Sequence, residues 1–258
     1  SKGSLDNIAK LTAGTVDMAL TQADIAYWAY YGKGAFEGQP ANTAYRAIAR
    51  LYPEAVHLVV RADSDIQSVV DLKGKRVSGG EVGSGTLVDS EILLRAYGLG
   101  PGDYDPYYLS PAASADGLMN GGLDAFFYIA GHPTRVIEDL ANRIGVRLIS
   151  LTGEKADQII ARHPYFGRTQ IPAALYKDVP LAQTLSVGAL LVVREDMDPN
   201  LVYSITEAIM HERARPIYEA GHPMASEISL ARALDSVAIP LHPGAERFYD
   251  EIGLIQPE

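Results

Sequence analysis

Short apolar runs alternate with amphipathic stretches along most of the chain. Residues 16–20 (VDMAL), 45–52, 55–61, 76–78, 107–109, 123–129 (LDAFFYI), 146–151 and 183–194 (QTLSVGALLVVR) read as strands, with Pro53 separating the second from the third. The VDMAL and LDAFFYI runs have the character of buried strands. Between the strands, apolar residues recur at helical spacing over 5–12, 25–31, 65–72, 86–97, 111–119, 131–140, 154–162, 199–218, 225–234 and 243–252. Asp24 is placed to cap the second of these helices, and Pro111 and Pro243 suit first-turn positions. Residues 163–180, with Pro164, Pro172 and Pro180, read as irregular. Strands that alternate with helices predict an α/β protein with mostly parallel sheets.

The densest signal lies at 76–98, RVSGGEVGSGTLVDSEILLRAYG. A short strand enters a turn with glycines at 79, 80, 83 and 85, and an amphipathic helix begins at Ser84-Gly85-Thr86 and closes at Gly98. Free N–H groups and the positive end of a helix dipole then meet at one point, which suits a carboxylate or phosphate. Ser84 and Thr86 add hydroxyl donors. An ordinary capped strand-to-helix turn has the same pattern. No Lys follows the last glycine, so this is not a Walker loop, and G-x-G-x-x-G does not fit in the right place.

A second regularity links the two halves of the chain. Leu11-x-x-Gly14-x-Val16-Asp17 recurs as Leu118-x-x-Gly121-x-Leu123-Asp124. In both, a helix ends in glycine, a strand follows and a new helix starts. This suggests two lobes of similar build, each turning a strand end and a helix start toward a shared crevice.

Composition narrows the functional classes. A net charge of −10 argues against nucleic acid and anionic membranes, although local amides can still bind an anion. The absence of cysteine removes disulfides and thiolate metal sites. The chain has no window of 18 apolar residues and no visible signal peptide. Its start at Ser1, in what reads as the middle of an element, points to a processed or truncated product. The motifs of nucleophile elbows, zincins and EF-hands are missing. The six histidines show no ligand spacing, so neither metal nor cofactor is expected. The 15 tyrosines stand against one Trp and five Phe. Tyr offers an apolar wall with a hydroxyl, which suits a polar small-molecule pocket as well as a core.

Five segments together resemble one family: LTAGTVDMALTQADIAYWAY, AIARLYPEAVHLVVRADSDIQSVVDLKGKRVSGGEVGSGT, LDAFFYIAGHPT, VGALLVVRED and IPLHPGAERFYDEIGL. They look like the TAXI family, the extracytoplasmic solute receptors of one type of tripartite ATP-independent periplasmic (TRAP) transporter. The resemblance implies a type II periplasmic-binding-protein fold, with two α/β lobes and a ligand cleft between them. Residues 1–74 and 187–258 would form the first lobe and 75–186 the second, with crossings near 64–74 and 184–190. It implies a periplasmic, monomeric receptor without catalysis. Such a receptor captures a small carboxylate or amino acid, glutamate-like, and hands it to a TRAP membrane permease.

Carried over by position, Gln22, Ala23, Asp24, Tyr27 and Tyr52 would face the ligand from the first lobe. Gly83, Ser84, Gly85, Thr86, Tyr128, Ala130, Gly131, His132 and Tyr176 would face it from the second. Ser84, Gly85 and Thr86 would hold the carboxylate, Gln22 would give an amide bond, and Tyr27, Tyr52 and Tyr128 would form walls. His132 would narrow the pocket or reach a second carboxylate, or stand as a solvated residue beside Pro133. Relatives begin with a further strand and a Gly/Tyr-rich loop and helix ahead of the point where this chain starts. Two other readings use the same architecture: an enzyme with Asp24 and His132 as its acid–base pair, or a ligand-sensing domain.

Overall fold

The computed structural model describes residues 1–255. In chain order the elements begin with α1 (Ser4–Thr12), β1 (Met18–Gln22), α2 (Ala23–Tyr31), β2 (Tyr45–Arg61), β3 (Arg76–Ser78) and α3 (Gly85–Ala96). There follow β4 (Asp105–Tyr107), α4 (Pro111–Met119), β5 (Ala125–Ala130), α5 (Arg135–Ile144), β6 (Val146–Leu148) and α6 (Gly153–Arg162). The last are β7 (Gly167–Ile171), β8 (Ala182–Arg194), α7 (Pro199–Met210), α8 (Arg215–Gly221) and α9 (Pro243–Glu251). The chain forms two compact units. One holds Gly3–Pro53 and the chain from Gly188 onward; the other holds Glu54–Val187. The chain passes between them inside β2, at Pro53–Glu54, and inside β8, at Val187–Gly188. The first crossing thus stands upstream of the 64–74 segment expected from the sequence.

In the first unit, β1 runs antiparallel to the end of β8, with Met18 opposite Val193 and Gln22 opposite Ala189. The apolar pattern predicts a buried strand over 16–20. The strand instead starts at Met18, and Met18 and Leu20 are each 40% exposed. They share one face by the two-residue period of a strand, and that face is open. The N-cap position of α2 is held by Gln22, without a side-chain cap bond, and not by Asp24; Asp24 lies in its first turn and is fully buried. The core gathers Ile48, Val193, Val202, Phe248 and Tyr249, with α7 packed on α9. The Tyr249 hydroxyl donates to the Ile48 carbonyl at 3.1 Å, and that of Tyr45 to Ala26 at 2.5 Å. The helix expected over 199–218 stops at Met210. Pro216 inside a continuous helix would remove one backbone bond and press on the carbonyl four residues back. It sits instead in the first turn of α8. The helix expected over 225–234 is two short 3-10 turns, Pro223–Glu227 and Leu230–Arg232.

In the second unit the strands run β6–β2–β5–β3–β4. Strand β2 is antiparallel to both β5 and β6, and β7 is antiparallel to β8; among the described pairings of this unit, β3 alone runs parallel to its neighbours, β4 and β5. The expectation of mostly parallel pairing therefore fails. Strand β2 enters from the other unit and β8 leaves for it, so their direction is set by the crossing and not by a strand–helix–strand connection. The two strands read on either side of Pro53 are one, since the ladder to β5 begins only at Ala55 and needs no N–H from the proline. Strand β7 lies in the stretch read as irregular. Of the helix expected over 65–72, only the 3-10 turn Val69–Leu72 forms, closed by a Ser68/Asp71 capping box.

One apolar core of this unit includes Val56, Leu58, Val77, Leu93, Phe127 and Ile159, and another Val59, Phe126, Ile137, Leu140 and Tyr176. The repeated Leu-x-x-Gly-x-Φ-Asp pattern has a structural basis. Gly14 and Gly121 both adopt left-handed backbone, at φ 66° and 76°, after α1 and α4. Asp124 then takes Arg76 in a two-pronged ion pair with its closest approach at 2.7 Å, and Asp17 stands 3.9 Å from Arg194.

Candidate functional site

The proposed ligand residues divide between the units, and each set is built locally. In the second unit, β3 ends at Ser78 and the chain turns through Gly79–Gly83. Gly80 has φ 114°, and a Cβ there would stand 3.0 Å from the Leu87 nitrogen, the Ser84 hydroxyl and the Thr86 methyl. Only glycine lets this turn close on the helix start. Ser84 is the N-cap of α3: its hydroxyl oxygen accepts the Leu87 N–H at 3.2 Å and its hydroxyl donates to the Glu81 carbonyl at 2.7 Å. That hydroxyl is committed to the cap.

Thr86 is different. Its oxygen accepts the Ile129 N–H at 3.2 Å, which ties the helix start to the end of β5. Its hydroxyl hydrogen meets no acceptor among the described residues, nor do the N–H groups of Gly85 and Thr86. Both residues are buried. Three donors converge where the dipole of α3 is positive, and buried donors call for an acceptor.

At the end of β5, Tyr128, Ala130, Gly131 and His132 are half-buried. The helix expected from Gly131 begins only at Arg135, so His132 belongs to a turn ahead of it. Beneath this turn is a buried relay that the sequence did not reveal. The Tyr176 oxygen accepts the Thr134 N–H at 2.9 Å, and Tyr176 lies 3.1 Å from His57 Nε2. His57 Nδ1 faces two carbonyls, of Ala55 at 2.9 Å and Tyr128 at 3.2 Å. Nδ1 must then carry the ring proton, and Nε2 accepts the Tyr176 hydroxyl. Burial pushes His57 down to about 4, and the His132 ring, 6.3 Å away, adds to the effect against the two carbonyl bonds. Burial raises the Tyr128 and Tyr176 hydroxyls. Tyr176 itself is 1% exposed, so it supports the turn from below.

In the first unit, Gln22, Ala23, Asp24 and Tyr27 follow one another through the β1–α2 junction. Gln22 is 2% exposed; its N–H donates to the Ser4 hydroxyl at 3.1 Å and its side-chain oxygen lies 3.5 Å from the same atom. Tyr27 accepts from Lys33 Nζ at 3.2 Å and packs against Tyr31 with ring centroids 4.7 Å apart. Tyr52 is half-buried in β2, just before the crossing. Among the described residues no group of three or more His, Cys, Asp or Glu side chains is placed to hold a metal ion. No helix among them is long and apolar enough to cross a membrane.

A model of the NMT1-like family matches residues 1–253. In structure the chain is similar to the periplasmic aliphatic sulphonate binding protein SsuA of Escherichia coli, with 17% identity and a TM-score of 0.50, covering 97% of this chain and 70% of that one. It is similar to the alkanesulfonate-binding protein SsuA of Xanthomonas axonopodis pv. citri bound to MOPS, with 18% identity and a TM-score of 0.52 over 96% and 70%. A third likeness is to a protein of Xanthomonas citri bound to ATP, with 15% identity and a TM-score of 0.55 over 98% and 86%. At these identities the likeness establishes the fold, the α/β architecture of periplasmic binding proteins.

Proposed function

The chain belongs to the NMT1-like family, and from that premise we propose that it is an extracytoplasmic solute receptor of a transporter, not an enzyme. It binds a small anion at the start of α3. The observation that carries this reading is the trio of uncommitted donors, the Gly85 and Thr86 N–H groups and the Thr86 hydroxyl, at the positive end of a helix. The two SsuA proteins carry sulfonate-binding names and the third similar protein was bound to ATP, so anionic ligands recur on this fold. Within that class we favour a carboxylate or amino acid, glutamate-like, and delivery to a TRAP permease, as the TAXI-like segments imply.

In this reading Tyr27, Tyr52 and Tyr128 give walls, and Ala130, Gly131 and His132 complete the second unit's share. Gln22, Ala23 and Asp24 belong to the first unit's share, and Gly83 and Ser84 shape the turn. Calorimetric titration of the chain with L-glutamate, succinate and ethanesulfonate tests the function. Saturable one-to-one binding of at least one acid, weakened by Thr86→Val, is expected. Heats equal to dilution for all three would count against it.

A further inference from the structure

The second unit has a groove at the far end of α3, about 14 Å along the helix from Thr86. It lies between α3 and α6 and has a volume of about 480 Å³, within the range of small-molecule sites. Ile92, Ala96 and Ile159 give it an apolar lining, and Arg95, Lys155 and Arg162 bring three cations to it. The chain as a whole carries −10, so the groove reverses the prevailing charge. Arg95 is held by Glu91 at 3.2 Å. Lys155 and Arg162 have no ion pair among the described residues.

Helix electrostatics explains only part of this arrangement. Arg95 and Arg162 lie in the last turns of α3 and α6, where a cation offsets the dipole. Lys155 is the third residue of α6, at the positive end, where a cation is unfavourable. The dipole therefore does not account for its position, and it lines the same cavity as Arg162.

We propose that this groove binds a small amphipathic anion, a short apolar chain with one carboxylate. The chain would lie on Ile92, Ala96 and Ile159, and the head would meet Lys155 and Arg162. This site is separate from the one at the start of α3 and stands or falls without it.

Octanoate is the probe. Amide correlation spectra of the whole chain, titrated at fixed ionic strength, should show saturable shifts at Ala96, Gly98 and Gln158, with Gly85 and Thr86 unmoved. Acetate at equal concentration should leave them in place, since it lacks the chain. Combining Lys155→Gln with Arg162→Gln, both at exposed positions, should weaken octanoate at least about fivefold. No saturable shift, an equal response to acetate, or an unaltered affinity in the double variant would each overturn the proposal.

Discussion

The Thr86 hydroxyl oxygen accepts the Ile129 N–H at 3.2 Å, which fastens the first turn of α3 to the last residues of β5. In the proposed function one side chain would serve two purposes: its oxygen closes the fold, and its hydrogen is left to a ligand. Thr86→Val removes both. It should cost about 1–3 kcal/mol of stability, because a buried N–H loses its partner, and should also weaken ligand binding. Thr86→Ser keeps the hydroxyl and should largely retain both properties. Urea unfolding beside calorimetry checks this; a Val variant with unchanged stability and affinity would remove Thr86 from both roles.

His57 makes the second unit sensitive to acid. Its folded value of about 4 lies below the unfolded value of about 6.5. Between the two, the unfolded chain binds more protons, so stability is fully present above about pH 6.5 and is lost as the pH falls toward 4. The loss is roughly 3 kcal/mol. His57→Gln should be less stable at neutral pH but show a flatter decline over this window. Urea midpoints at pH 7 and pH 4.5 for both proteins measure it; equal slopes would show that His57 is not the titrating group.

Gly80 is the glycine on which the turn depends. At φ 114°, with three atoms 3.0 Å from a would-be Cβ, Gly80→Ala should destabilise the protein by about 1–3 kcal/mol and displace the Gly85 and Thr86 amides. Gly74→Ala has open space around it, so its cost should come from backbone alone, at φ 73°. Unfolding of the two variants side by side separates crowding from conformation. An equal cost at both positions would contradict the crowding at Gly80.

Local chemistry made part of this structure legible. The cap at Ser84 and the end of α3 could be read from Ser-Gly-Thr and Gly98, and Gly98 does accompany the paired closing bonds from Gly98 to Arg95 and from Leu99 to Leu94. Helix α4 runs over 111–119 as read, with Pro111 in its first turn and Ser110 as its cap. Long-range relationships were not legible. His57 sits in an apolar run with no local signal, and its partner Tyr176 is 119 residues away. The residue type of Asp24 favours a cap, but the helix starts at Ala23, two residues ahead of the expected 25, and buries Asp24 in its first turn. Strand direction is not legible locally, because alternating elements do not reveal which strands cross between units.

In the proposed function the first amides of α3 hold an anion. The most direct measurement is the amide proton shift of Gly85 and Thr86 during titration with L-glutamate. Both should move downfield saturably, with one shared dissociation constant that matches calorimetry. Glutamate binding with both amides unmoved would contradict it.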